Sequence, residues 1–158
     1  MSISINGSGN ISSTSNIILS PNNLIINKSA RPSFFIRSSG FTSLTNAILT
    51  FTNVVYNNGN MYDTSNGRMT APVDGLYLLQ LNALTPNNTT TADLRLYKNG
   101  SQYSDIGVYG GNWSGHKHIG CCLPIVLSAG DWIAWYTIGT GYFHGGTEHT
   151  WLAGALLV

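Results

Sequence analysis

Short apolar runs bounded by turn residues, none with helical spacing beyond about two turns, fill residues 31–158 of this chain. They fall at Phe34–Ile36, Ile48–Phe51, Leu76–Ala83, Leu94–Tyr97, Ile119–Leu127, Trp132–Ile138 and Trp151–Val158, with Gly, Pro, Asn or Asp at their borders. Regularly spaced short strands with turn signals between them predict a β-sandwich or jelly roll. Lys98-Asn99-Gly100 suits a tight hairpin, and Ala129-Gly130-Asp131 a second. Leu76–Leu81 and Trp151–Val158 are too apolar for strands with one wet face, so a neighbouring subunit is expected to cover them.

Composition narrows the function. Charged residues make up only 8 % of the 158 residues while 42 % are hydrophobic, which argues against disorder and for burial against like neighbours. Asn, Ser, Thr and Gly carry the polarity, and they favour turns over long helices. The net charge is +1, and the seven Lys and Arg are scattered, so nucleic-acid binding is set aside. No apolar run approaches the roughly 20 residues of a spanning helix, so membrane insertion is not expected.

The two cysteines, Cys121 and Cys122, are adjacent, and on a strand they point to opposite faces. They are expected to be free thiols in a chain that folds under reducing conditions. Met1-Ser2-Ile3-Ser4-Ile5 lacks the basic start and apolar stretch of a signal peptide. The chain is therefore expected either to stay in the cytoplasm where it is made or to leave the cell without the usual export route, for example by lysis.

Residues 1–30 differ in texture from the rest. They hold no aromatic residue, and Ile/Leu pulses at Ile3 and Ile5, Ile11, Ile17–Leu19 and Leu24–Ile26 alternate with Asn, Gly, Ser and Pro. The pattern is expected to form a fibre-shaft-like segment, in which several chains together bury the isoleucines, or a polar linker. Residues 31–158 are then one compact domain.

Phe51, Asn57, Tyr62, Gly75 and Tyr77 resemble the spaced signature of globular C1q domains. Gly67–Ala83 is similar to that family's central segment, Leu127–Trp135 to a strand entry through Gly-Asp, and Thr150–Val158 to its closing strand. Met69, Leu79 and Leu81 stand where the family usually carries Phe or Tyr. The resemblance implies an all-β, ten-stranded, two-sheet jelly roll of the C1q and tumour-necrosis-factor type, assembled as a homotrimer. Some of Tyr77, Leu79, Leu81, Trp135, Leu156 and Val158 are expected at or near the subunit interface, and the others in the chain's own core. The Asn/Ser/Ile-rich lead resembles the shaft-to-head region of bacteriophage tail fibres, which implies a virion fibre tip contacting a host surface glycan or receptor. A C1q-like secreted lectin or adhesion module is the alternative.

Two Gly-rich stretches suit ligand contact, Gly107–Gly115 and Gly139–Gly146. Aromatic faces held among glycines stack on sugar rings, which makes Tyr109, Trp113, Tyr142, Phe143 and His144 the candidate contact residues. No cofactor is called for by the sequence. His116 and His118 share one strand face, and a three-fold axis would gather six imidazoles for a transition metal. Asp105 and Asp131 are the candidates for calcium. His144, His149 and Glu148 form a further possible set. With six acidic residues and no Gly-x-Ser-x-Gly elbow, the chain is read as a binding protein, with a polysaccharide-degrading enzyme as a second alternative.

Overall fold

A computed structural model of the chain describes residues 4–5, 11–12, 31–40, 42–85, 91–110, 115–146 and 148–158. The chain divides into two compact units, Met1–Arg31 and Pro32–Val158. In the first, β1 (Ser4–Ile5) and β2 (Ile11–Ser12) pair antiparallel with Ile5 opposite Ile11. The remaining Ile/Leu pulses of the expected shaft lie outside the described residues.

The second unit is a sandwich of two five-stranded sheets. One contains β3 (Ser33–Arg37), β5 (Asn53–Asn58), β8 (Gly75–Thr85), β11 (Lys117–Leu127) and β14 (Trp151–Leu156), in the order β11-β8-β14-β3-β5. The other contains β6 (Tyr62–Asp63), β7 (Arg68–Thr70), β9 (Thr91–Lys98), β10 (Ser101–Gly110) and β12 (Trp132–Ile138), in the order β10-β9-β12-β7-β6. A separate two-stranded ladder joins β4 (Thr42–Thr45) to β13 (Thr140–Phe143). Every ladder among the described residues is antiparallel, so this is the jelly roll that the resemblance implied.

The core lies between the sheets. Phe34, Ile36, Tyr77, Leu79, Leu81 and Leu152 meet Met69, Leu94, Leu96, Ile133 and Trp135 there, all buried. The C1q-like signature is a connected piece of this core. Asn57 accepts from the Tyr62 N–H (3.0 Å) and donates to the Tyr62 carbonyl (2.8 Å), while the Phe51 N–H donates to the Tyr62 hydroxyl (2.9 Å). Tyr62 also stacks on Phe34, with ring centroids 5.5 Å apart. Gly75 is dictated by space, since a Cβ there would stand 2.5 Å from both Leu156 Cδ1 and the Val158 carbonyl oxygen.

Several local expectations are corrected. Ile48–Phe51 is not a strand; only Ile48 forms a bridge, to Tyr136, while Leu49 and Phe51 plug the core from a connecting segment. Asn99 and Gly100 take positive φ and close the β9–β10 hairpin, as the sequence predicts. Gly130 also has positive φ, yet its turn carries the chain from one sheet to the other and forms no hairpin. Both Gly-rich stretches contain strand: Gly107–Gly110 belongs to β10, and Thr140–Phe143 is β13.

Candidate functional site

Strand alternation decides which apolar side chains are available for contact. In β8, Tyr77, Leu79 and Leu81 point into the sandwich and are buried, as is Trp135 in β12. These four fill the chain's own core, the place expected for part of the six, and leave no side-chain surface exposed on the single chain. Leu156 is also largely buried, while Val158 is 74 % exposed. The tyrosine is fixed at its polar end too, because its hydroxyl donates to the Val73 carbonyl at 2.7 Å.

The opposite phase of the same strands builds an outward face. Tyr56, Phe35, Ala153, Gln80 and Cys122 stand in register across all five strands of that sheet. Asn53, Arg37, Trp151, Asn82 and Gly120 form the next row on this face. Phe35 packs edge-on against Trp151 (5.7 Å between centroids) and tilted against Tyr56 (6.3 Å). Arg37 is the one charged residue in these rows, and its guanidinium carbon lies 4.9 Å from the centre of the Phe35 ring. Its Nε finds no acceptor among the described residues. Val54 and Tyr56 of the edge strand and Val126 of the opposite edge strand are exposed. A broad aromatic and aliphatic face with one cation is therefore left uncovered by the single chain.

All four histidines gather at one end of this sheet. The rings of His144 and His149 lie edge to face at 4.8 Å, and those of His116 and His144 at 5.5 Å. His118 Nδ1 is 3.3 Å from Asn82 Oδ1, and Asn82 donates to the His149 carbonyl at 2.7 Å. His116 and His118 thus have different partners within the chain. Among the described residues no group of three or more His, Cys, Asp or Glu side chains is placed to hold a metal ion. The carboxylates suggested for calcium are committed elsewhere. Asp105 lies 3.4 Å from Arg95, and Asp131 lies 2.8 Å from Lys98. Hydrogen bonding to Lys98, then to Asn99 and the Ser128 N–H, pulls the Asp131 carboxyl down to about 2.

The five contact candidates fare differently. Tyr142 is exposed at the end of β13. Phe143 is buried in the core, a correction, because alternation turns it inward beside its exposed neighbour. His144 is half-buried and anchored through its backbone to Leu84 and Thr150. Tyr109 stands opposite Ala92 in β10 with its side chain outside the described residues, and Trp113 lies outside them altogether. No helix among the described residues is long and apolar enough to cross a membrane.

Comparisons with known proteins agree with this architecture. Residues 33–156 match the C1q domain. The globular domain of zebrafish complement 1qA protein superposes with a TM-score of 0.65 at 15 % identity, covering 80 % of this chain and 98 % of that one. The Eiger TNF of S. frugiperda gives 0.66 at 12 % identity, over 82 % of this chain and 94 % of its own. Murine APRIL gives 0.62 at 15 % identity, over 80 % and 99 %. At such identities the likeness is one of fold. No curated protein sequence matches the chain.

Proposed function

The chain belongs to the C1q domain family, and from that premise we propose that it is a homotrimeric binding head, the tip of a bacteriophage tail fibre or related virion protein that contacts a host surface glycan or receptor. Domains of this family are commonly trimeric binding modules and generally not enzymes. The observation that carries the trimer is the outward face of the first sheet, with Tyr56, Phe35 and Trp151 in contact and Arg37 as its one cation. Such a face resembles the inside of an obligate interface more than a water-facing surface. The fibre role rests on the Asn/Ser/Ile-rich lead of residues 1–30. Contact with the ligand is assigned to Tyr109, Trp113, Tyr142 and His144.

A secreted lectin or adhesion module of the same trimeric form is the second reading. It is favoured by the family match, which covers residues 33–156 and leaves the lead unassigned, and by the typically extracellular setting of such domains.

Light scattering of the purified chain at low concentration, with and without chelator, tests the assembly. About three chain masses in both conditions is the expected result. A single chain mass overturns the proposal, and collapse on chelation replaces the apolar interface with a metal-held one. Binding of the trimer to immobilised host-surface glycans, weakened by Trp113→Ala, tests the contact loop.

A further inference from the structure

The outward side of the second sheet carries a hollow of about 410 Å³ lined by Tyr97, Trp132, Ala134, Tyr136, Asn46 and Ile48 among others. Its origin lies in strand register. Trp132, Ala134, Tyr136 and Ile138 alternate on one face of β12, and Ala134 pairs with Tyr97 of β9. A small side chain among three large rings makes a depression with a methyl floor and aromatic walls. Ile48 closes one side through its bridge to Tyr136.

The walls are held in place. Tyr97 and Tyr136 lie 5.0 Å apart between centroids and tilt by 40°. The Arg68 guanidinium covers the Trp132 ring at 4.0 Å. The Asn46 N–H donates to the Gly139 carbonyl (3.1 Å), its side-chain oxygen accepts from the Gly139 N–H (2.9 Å), and its carbonyl accepts from the Tyr136 hydroxyl. The site is therefore organised before any ligand arrives.

We infer that this hollow is a subsite for one pyranose unit of a neutral glycan, stacked by its C–H face on Tyr97, Tyr136 and Trp132 and hydrogen-bonded at the Asn46 rim. The inference rests on the reading of the chain as a glycan-contacting head, and it moves part of that contact from the Gly-rich loops to the second sheet. The volume lies low in the range of small-ligand sites. None of the lining residues is charged. The two ion pairs nearby, Lys98 with Asp131 at 2.8 Å and Arg95 with Asp93 at 2.6 Å, leave Arg68 on the Trp132 ring as the one cation beside the hollow among the described residues. No carboxylate is thus presented to a cationic ligand, and a neutral one fits the uncharged lining. The Tyr136 hydroxyl proton is already given to Asn46. The lining residues offer both acceptors (the Asn46 carbonyl and Tyr136 hydroxyl oxygens) and a donor (the Trp132 indole N–H), which favours a hydroxyl-rich ligand that donates and accepts over a proline-rich peptide that mainly accepts. The hollow faces away from the proposed assembly face, so a trimer would present three copies and gain avidity.

The test is saturation-transfer NMR on the purified full chain with lactose, cellobiose, maltose and chitobiose as probes, supported by glycan-array binding. At least one disaccharide should receive saturation, with Tyr97→Ala lowering its affinity about tenfold, roughly the loss of one stacking contact. Tyr97→Phe, which keeps the ring, should bind within about threefold of the parent, and Tyr103→Ala, an exposed tyrosine of the same sheet that does not line the hollow, should leave disaccharide binding unchanged. Circular dichroism and light scattering confirm that each variant keeps its fold and mass. Absence of saturation on all four probes overturns the inference, as does undiminished binding by Tyr97→Ala or displacement of the sugar by an oligoproline peptide. Glycan-array binding lost in Tyr142→Ala but intact in Tyr97→Ala sinks the subsite while sparing the binding head. A monomer with no array binding sinks the head itself.

Discussion

Gly154 and Phe34 are cross-strand partners in the middle of the first sheet, and the phenyl ring of Phe34 occupies the space that a side chain at 154 would need. A Cβ built on Gly154 would also stand 3.1 Å from Leu79 Cδ2. Both neighbours are fully buried, so neither has solvent to move into. Gly154→Ala is expected to destabilise the domain by about 1–3 kcal/mol through overpacking. Chemical denaturation should show a lower midpoint with an unchanged slope.

Phe35→Lys should break the assembly while sparing the monomer, because Phe35 is half-buried on the outward face and places its new charge beside Arg37. Light scattering should then report one chain mass with a native circular dichroism spectrum. Cys122 shares the row of Phe35 and is exposed in the single chain. Its thiol should alkylate slowly in the trimer and quickly in Phe35→Lys. Burial pushes the Cys121 thiol up, so Cys121 should lag in both.

Acid sensitivity should trace in part to Asp131. Its carboxyl is held at about 2 in the folded chain, mainly by Lys98 and then by Asn99 and the Ser128 N–H. A depressed folded value stabilises above the unfolded value of about 4 and loses that contribution as pH falls through about 2. Asp131→Asn should be less stable than the parent at neutral pH. The difference should shrink over that acid window, which thermal melts at stepped pH will read.

Alkaline unfolding should involve Tyr62, whose hydroxyl is pushed up to about 12, first by burial and against the hydrogen bond from the Phe51 N–H. A raised folded value stabilises fully below the unfolded value of about 10 and fades as pH rises through about 12. Tyr62→Phe leaves the buried Phe51 N–H without its acceptor, at a cost of about 1–3 kcal/mol. Absorbance of tyrosinate during alkaline titration should lose its latest step in this variant.

Much of the fold was legible because its signals are local. Asn99-Gly100 closes its hairpin from two residues, and Leu94–Tyr97 and Trp132–Ile138 carry their strand character in their own composition. Ser101–Gly110 was not legible as a strand, since its polar residues become one only by pairing with β9 through two register irregularities. Asn53–Asn58 was missed as well; it lies at a sheet edge with Val54, Val55 and Tyr56 exposed. The apolar character of Leu76–Leu81 carries no phase, and only the sandwich shows that Leu78 faces outward while Tyr77 and Leu79 face in. The hollow on the second sheet had no linear signal at all: Asn46, Tyr97 and Trp132 are far apart in the chain and meet through the ladders.

The order of strands in the first sheet governs how such a chain can mature during synthesis. β14, the last strand of the domain to leave the ribosome, is seated in the middle of its sheet, between β8 and β3. Until it emerges, β3 and β5 have no strand to join them to β8 and β11, and two strand edges stay open. Completion of the sandwich must therefore await the emergence of β14. A nascent chain stalled before β14 has emerged would be a client for chaperones and proteases.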